Sequence, residues 1–77
     1  MAKQLVTAVA SAVRHYRKAL NMSQEELAEV ARLDRTYISG VERGVRNITL
    51  DSLEMIITAL GISPAEFLAK VSEEIHG

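Results

Sequence analysis

The sequence contains no cysteine among its 77 residues. That absence excludes disulfide frameworks, thiolate zinc sites and cysteine nucleophiles, and it suits a reducing compartment such as the cytoplasm. The two histidines, His15 and His76, stand alone and cannot build a metal site by themselves. No apolar run approaches the length of a membrane span. We therefore expect a cytoplasmic protein with no metal, no cofactor and no membrane segment.

Proline and glycine are also scarce, with one and four residues in a chain that is 48% hydrophobic. This composition predicts a single compact domain over residues 1–77, too short for a separate catalytic or sensor module. A domain of this size buries only about 60% of its unfolded surface, so oligomerisation would add stability. The sequence contains no glycine-rich phosphate loop, nucleophile elbow or HExxH motif, which disfavours an enzyme. No small-molecule ligand is expected.

Excess positive charge is absent as well, because nine Lys and Arg face ten Asp and Glu for a net charge of −1. The basic residues are nevertheless concentrated in two segments of the chain. Residues 1–24 contain four basic side chains and no acid, and residues 32–46 contain four arginines against two acids. The local field governs binding more than the sum does, so the sequence predicts a basic face and an acidic back.

Helix start signals recur four times along the chain. In each, an apolar residue precedes a polar N-cap, and a second apolar residue follows four positions later. The predicted N-caps are Ser23, Asp34, Thr49 and Ser63. Their side-chain oxygens are expected to accept from backbone N–H groups, and Glu26 and Glu66 are placed to complete capping boxes. Asn21, Gly44 and Gly61 fit the left-handed position just past a helix end.

These signals predict five helices, over residues 3–20, 24–31, 35–43, 50–60 and 64–75. No segment alternates like a strand, so the predicted fold is an all-α five-helix bundle. Only Arg32, Leu33 and Asp34 separate the second and third helices, which is the turn length of a helix-turn-helix. The apolar elbow between these helices is predicted to contain Leu27, Ala28, Ala31, Leu33, Ile38 and Val41.

The third helix would then present a polar side outward, formed by Arg35, Thr36, Tyr37, Ser39, Gly40 and Arg43. Arg and Thr read base edges and thymine methyl groups, whereas Tyr and Ser commonly bind phosphates. For Gly40, close approach of a DNA backbone and neutral drift are both open explanations. Arg43 and Arg46 could equally be solvated surface charge.

The segment SQEELAEVARLDRTYISGVERGVRNITLDSLEMIITALGISPAEFL resembles the phage-repressor-like, Cro-type helix-turn-helix family. Within it, DRTYISGVERGVRNITLDSLE is similar to the controller proteins of restriction-modification systems, chiefly at residues 35–39 and 46–47. The resemblance covers about residues 10–68. It implies a lambda-repressor-like domain and a regulator of transcription that binds double-stranded DNA with residues 35–43 in the major groove.

The resemblance also implies residue roles. It places the recognition residues at the groove, with base reading by Arg35 and Thr36 and groove-edge or phosphate contacts by Tyr37 and Ser39. Phosphate contacts are implied for Gln24, Arg43, Arg46 and Asn47. Arg17 and Glu42 match an ion pair that braces the recognition helix. Arg32 stands where the family often has glycine, so it is expected at positive φ with a cost of about 1 kcal/mol.

Apolar residues near the C-terminus exceed what a small core can hide, and they predict a homodimer. The predicted dimer residues are Ile62, Phe67, Leu68, Val71 and Ile75. Two-fold pairing there would hold two recognition helices about 34 Å apart on a roughly palindromic operator. An antitoxin-like or adaptor domain whose main partner is a protein remains the alternative. The residues leave open whether the regulator is a controller, a phage-type or general repressor, or an antitoxin.

Overall fold

A computed structural model describes residues 4–76 of the chain. It contains five helices: α1 Gln4–Ala19, α2 Gln24–Ala31, α3 Arg35–Glu42, α4 Leu50–Leu60 and α5 Pro64–His76. No strand occurs between residues 4 and 76. The all-α prediction is confirmed, and the bounds of α2 and α4 agree with it. The predicted start of α1 at residue 3 lies outside the described residues.

The helix ends depend on the predicted capping residues, with one exception. Ser23 accepts from the Glu26 N–H at 3.0 Å, and the Ser23 N–H donates to Glu26 Oε1 at 2.8 Å, which completes a capping box. Thr49 accepts from the Ser52 N–H. Asp34 is the N-cap residue of α3, as predicted, but its side chain makes no cap hydrogen bond, so the predicted bond is wrong. The exposed Asp34 carboxylate can be hydrated instead, while the Asp34 carbonyl accepts from the N–H groups of Tyr37 and Ile38.

The fourth cap is formed by half of its predicted contacts. Ser63 Oγ accepts from the Glu66 N–H at 3.0 Å, which satisfies one orphan donor at the start of α5. The sequence also predicted the reciprocal bond, from the Ser63 N–H to the Glu66 carboxylate. Among the described residues 4–76 this bond is not formed. Glu66 is exposed, so its carboxylate can be solvated.

The turn between α2 and α3 requires a left-handed residue, and Arg32 supplies it. Its φ is 62° and its ψ is 42°, and its N–H donates to the carbonyls of Ala28 and Glu29 at the end of α2. The prediction of positive φ at Arg32 is therefore confirmed. A Cβ in this conformation costs about 1 kcal/mol relative to glycine.

Each helix contributes one side chain to the centre of the core. The largest fully buried side chains are Val13, Leu27, Ile38, Ile56 and Phe67, one from each of α1 to α5. The predicted elbow is confirmed, since its residues are buried or, for Leu33, half-buried against the core. α3 therefore packs on α1 and α2 with one side and presents the other to solvent.

The connection between α4 and α5 is short and bends the chain by 104°. Gly61 ends α4 at φ 73°, and Pro64 begins α5. Within residues 4–76 no single helix is long and apolar enough to cross a membrane. Only this bent pair meets such a test, on combined length and composition. Both helices contribute to the core, through Ile56 and Phe67.

The predicted dimer surface is wrong at two of its five residues. Phe67 is 0% exposed and Val71 is 4% exposed, because α5 packs both against the core of its own chain. Ile62 and Ile75 are half-buried against the same core. Leu68 points the other way and is 57% exposed. The apolar pattern predicted that this segment is a helix, but it did not predict which of its residues face outward.

Candidate nucleic-acid interface

The first turn of α3 is presented to solvent. Arg35 and Thr36 are exposed, while Tyr37 and Ser39 are half-buried. On the opposite side of the helix, Ile38 and Val41 are buried in the elbow with α2. The helix is thus held by its apolar side, and its polar N-terminal turn is free to enter a groove. The structure places all four predicted groove residues on α3, and their contacts with bases remain predictions.

A second set of predicted contacts lies just beyond α3. Arg43 is the C-cap residue of the helix, and Arg43, Arg46 and Asn47 are all exposed. Arg46 turns back toward the helix, and its guanidinium carbon lies 4.7 Å from the centre of the Tyr37 ring. The loop therefore places three hydrogen-bonding side chains beside the recognition helix. Phosphate binding by these residues stays a prediction.

The predicted ion pair between Arg17 and Glu42 is present and is bidentate. Arg17 Nε donates to Glu42 Oε2 at 2.6 Å and Nη2 donates to Oε1 at 2.9 Å. Arg17 Nη1 also donates to the Met22 carbonyl at 2.8 Å. The hydrogen bond to Glu42 raises the pKa of Arg17 above its ordinary value. Because the Glu42 side chain is only 2% exposed, this pair ties α1 to the end of α3 away from water.

Gln24, the predicted phosphate clamp at the start of α2, belongs to the same network. Its Nε2 donates to Glu42 Oε1 at 3.0 Å, and the residue is half-buried. Glu42 thus links Arg17 of α1 and Gln24 of α2 to α3. One N–H of the Gln24 amide is already engaged, so its backbone N–H and the second amide N–H are the donors available to a phosphate.

The sequence prediction found only Leu68 of a separate apolar surface. Leu5, Leu50 and Leu68 are 60%, 84% and 57% exposed. Two adjoining cavities, of about 290 and 240 Å³, lie at this surface; both are lined by Leu50, Leu53 and Leu68, and the larger is also lined by Leu5. We call Leu5, Leu50, Leu53, Pro64 and Leu68 the Leu50–Leu68 face. The sequence did contain one signal for this surface, the leucine at position 50 directly after the N-cap Thr49. Acidic residues are the ones favoured in the first turn of a helix, so a large apolar residue there is unusual.

Comparison with known proteins identifies the class. A model of the helix-turn-helix family matches residues 13–67. The chain belongs to this helix-turn-helix family, and the resemblance read from residues 35–39 and 46–47 is confirmed by its relatives.

Two relatives are control proteins. Control protein C.BamHI of Bacillus amyloliquefaciens is 56% identical over 48 residues, which cover 62% of this chain and 59% of the relative. Control protein C.SmaI of Serratia marcescens is 47% identical over 62 residues, which cover 80% of this chain and 74% of the relative. The match thus spans about three fifths of the first relative and three quarters of the second.

A solved structure extends the similarity to nearly the whole chain. It is the restriction-modification controller protein C.Esp1396I, a tetramer in complex with its natural 35 base-pair operator. C.Esp1396I is 41% identical in sequence, with a TM-score of 0.91 over 95% of this chain and 96% of that one. The arrangement of five helices is therefore shared along with the family motif.

Proposed function

We propose that this protein is a transcriptional regulator that binds double-stranded DNA sequence-specifically, acting in the cytoplasm by binding rather than by catalysis. The exposed first turn of α3 supports this proposal best, because Arg35 and Thr36 project from a helix that is held by a buried ion pair. The similarity to C.Esp1396I, whose structure contains its operator, supports the same role.

The dimensions of α3 suit the major groove. An α-helix with its side chains is about 10 to 12 Å in diameter, and the groove is about 12 Å wide. Arg35 can place two parallel hydrogen bonds on guanine O6 and N7, and Thr36 can contact a neighbouring base. Arg43, Arg46 and Asn47 would contact phosphates and fix the register of the helix without reading sequence.

Binding as a homodimer is part of the proposal, with the Leu50–Leu68 face as the surface that two copies share. Leu50 and Leu68 are largely exposed, whereas Phe67 and Val71, which were also predicted for the dimer, are buried in the core. Two-fold pairing would place the two α3 helices about one DNA turn apart and require a roughly palindromic operator. The concentration of the protein would then control how much of the operator is occupied. We propose that the protein acts in this way as a restriction-modification controller.

The proposal predicts that Arg35→Ala relaxes sequence preference whereas Arg43→Ala does not. Loss of a bidentate guanine contact removes about 1 to 3 kcal/mol of discrimination, roughly 5- to 150-fold. Loss of a phosphate contact instead weakens all sequences alike and lowers the salt slope by about one. We expect this in fluorescence anisotropy titrations with a duplex that the wild-type protein selects from a random library, and with a scrambled duplex.

The same experiment can reject the proposal. If the wild-type protein enriches no sequence from the library, the protein is not a sequence-specific regulator, and an antitoxin-like or adaptor role with a protein partner is favoured. If Arg35→Ala and Arg43→Ala reduce binding to the selected and scrambled duplexes equally, the division between base reader and phosphate contact is wrong.

A further inference from the structure

We propose that Gly40 is a positioning residue for DNA recognition, because its missing side chain lets Arg46 lie across α3 and against Tyr37. In this arrangement Tyr37 and Arg46 act as one unit in DNA binding. The inference rests on the proposed function and adds to it a residue that would contact no DNA itself.

The backbone does not require glycine at position 40. Gly40 lies in the interior of α3, and the glycines with positive φ in the described chain are Gly44 and Gly61. Glycine is among the least favourable residues for a helix interior, so its presence calls for a local reason. Gly40 is also buried, so its presence is not that of a tolerated glycine on an exposed helix surface.

The side chain of Arg46 fills the space that a side chain at position 40 would need. A Cβ on Gly40 would lie 3.3 Å from Arg46 Cβ, 3.7 Å from its Cδ and 3.8 Å from its Cγ. The first of these distances is shorter than an ordinary carbon–carbon contact. The Val45 N–H also donates to the Gly40 carbonyl at 3.0 Å, which holds the loop beside the helix. A Cβ at position 40 therefore requires Arg46, or the loop that carries it, to shift by a few tenths of an ångström.

From this seat, Arg46 reaches the residue one turn earlier in α3. Positions 37 and 40 are three apart and share a helix face. The Arg46 guanidinium carbon lies 4.7 Å from the Tyr37 ring centre, within the range of a cation–π contact. The Tyr37 ring packs against the core, so it offers a fixed surface. Arg46 nevertheless remains exposed and can still meet a phosphate.

The consequence is preorganisation. Arg46 would otherwise lose conformational freedom on binding DNA, and a long side chain that is already seated loses less. Tyr37 would in turn be held by a cation that also contacts the DNA backbone. The groove-edge and phosphate roles implied for Tyr37 and Arg46 are therefore coupled through Gly40.

The test is Gly40→Ala, measured for both stability and DNA binding. We expect helix content and thermal midpoint equal to or above the wild type, because alanine favours the helix. Affinity for the duplex selected by the wild-type protein should nevertheless fall by about 2- to 12-fold, the range for immobilising one long side chain. A merely structural role would move stability and binding in the same direction.

Double-mutant cycles assign the effect to Arg46. In an Arg46→Ala background, Gly40→Ala should reduce affinity by less than about 2-fold, because no long side chain remains to be displaced. In an Arg43→Ala background, the matched control, Gly40→Ala should keep its full effect. A cycle between Tyr37→Leu and Arg46→Ala should show coupling as well, and it does not depend on the variant at position 40.

A DNA-free measurement separates this inference from the proposed function. The NMR resonances of the Arg46 δ-methylene should be shifted by the Tyr37 ring current; Tyr37→Leu should abolish that shift and Gly40→Ala should reduce it. The inference is overturned if Gly40→Ala leaves the shift and the affinity unchanged, or if both cycles are additive. If the wild-type protein selects no DNA sequence, the proposed function fails. Even then, an unchanged Arg46 shift in Gly40→Ala would overturn the inference that Gly40 positions Arg46 against Tyr37.

Discussion

Replacing Glu42 with alanine is expected to lower the free energy of unfolding by about 3 to 5 kcal/mol. The substitution leaves the Arg17 guanidinium, whose side chain is 11% exposed, without a counter-charge in the interior. It also removes the acceptor of the Gln24 amide. Chemical denaturation of the purified variant would measure the loss, which should come chiefly from the uncompensated arginine.

Three further variants test the cause. Glu42→Gln keeps an acceptor but removes the charge, so it should lie between wild type and Glu42→Ala. Glu73→Ala breaks a pair with Lys70 in which the glutamate side chain is 71% exposed, and it should unfold close to wild type. The combined substitution Arg17→Met with Glu42→Leu should recover most of the loss, because no buried charge then remains.

A loss within about 0.5 kcal/mol for Glu42→Ala would contradict the bracing role, since surface changes commonly fall in that range. A Glu42→Ala variant that is destabilised but not rescued by the paired apolar substitution would locate the effect in packing rather than in the unpaired charge.

Local signals account for most of the fold that the sequence predicted. Ser23 and Thr49 cap their helices through bonds between residues three apart, and such contacts depend on few neighbours. The positive φ of Arg32 was expected from the resemblance, because the family often has glycine at this position of the turn. Asp34 carries the same signal without the cap bond, because an exposed carboxylate can choose water over the backbone.

Contacts between distant residues were harder to anticipate. The Arg17–Glu42 pair was implied only by resemblance, since nothing local links positions 25 apart. The role of Gly40 depends on where the loop after α3 lies, which the helical pattern does not contain. For α5, apolar residues at helical spacing left open that Phe67 and Val71 face the core while Leu68 faces solvent.

Replacing Leu68 with glutamate is expected to convert the proposed homodimer to a monomer and to lower affinity for the selected duplex by about 10²- to 10⁴-fold. Leu68 lines both cavities of the Leu50–Leu68 face, so a charge there would be desolvated by a partner copy without compensation. The large effect on DNA follows because each half-site would lose the high effective concentration supplied by its linked neighbour. Sedimentation equilibrium at tens of micromolar and footprinting on the selected duplex would measure the two losses.

Val30→Glu is the matched control, because Val30 is 58% exposed against 57% for Leu68 and lines the groove between α2 and α4 instead. It should leave dimerisation and footprint unchanged. A wild-type protein that is monomeric at tens of micromolar, or a Leu68→Glu variant that remains dimeric, would contradict the assigned face. A footprint that shrinks from two half-sites to one in Leu68→Glu would show that each copy keeps its own α3 contacts, because the substitution lies on α5 and leaves the bracing of α3 by Arg17 and Glu42 intact.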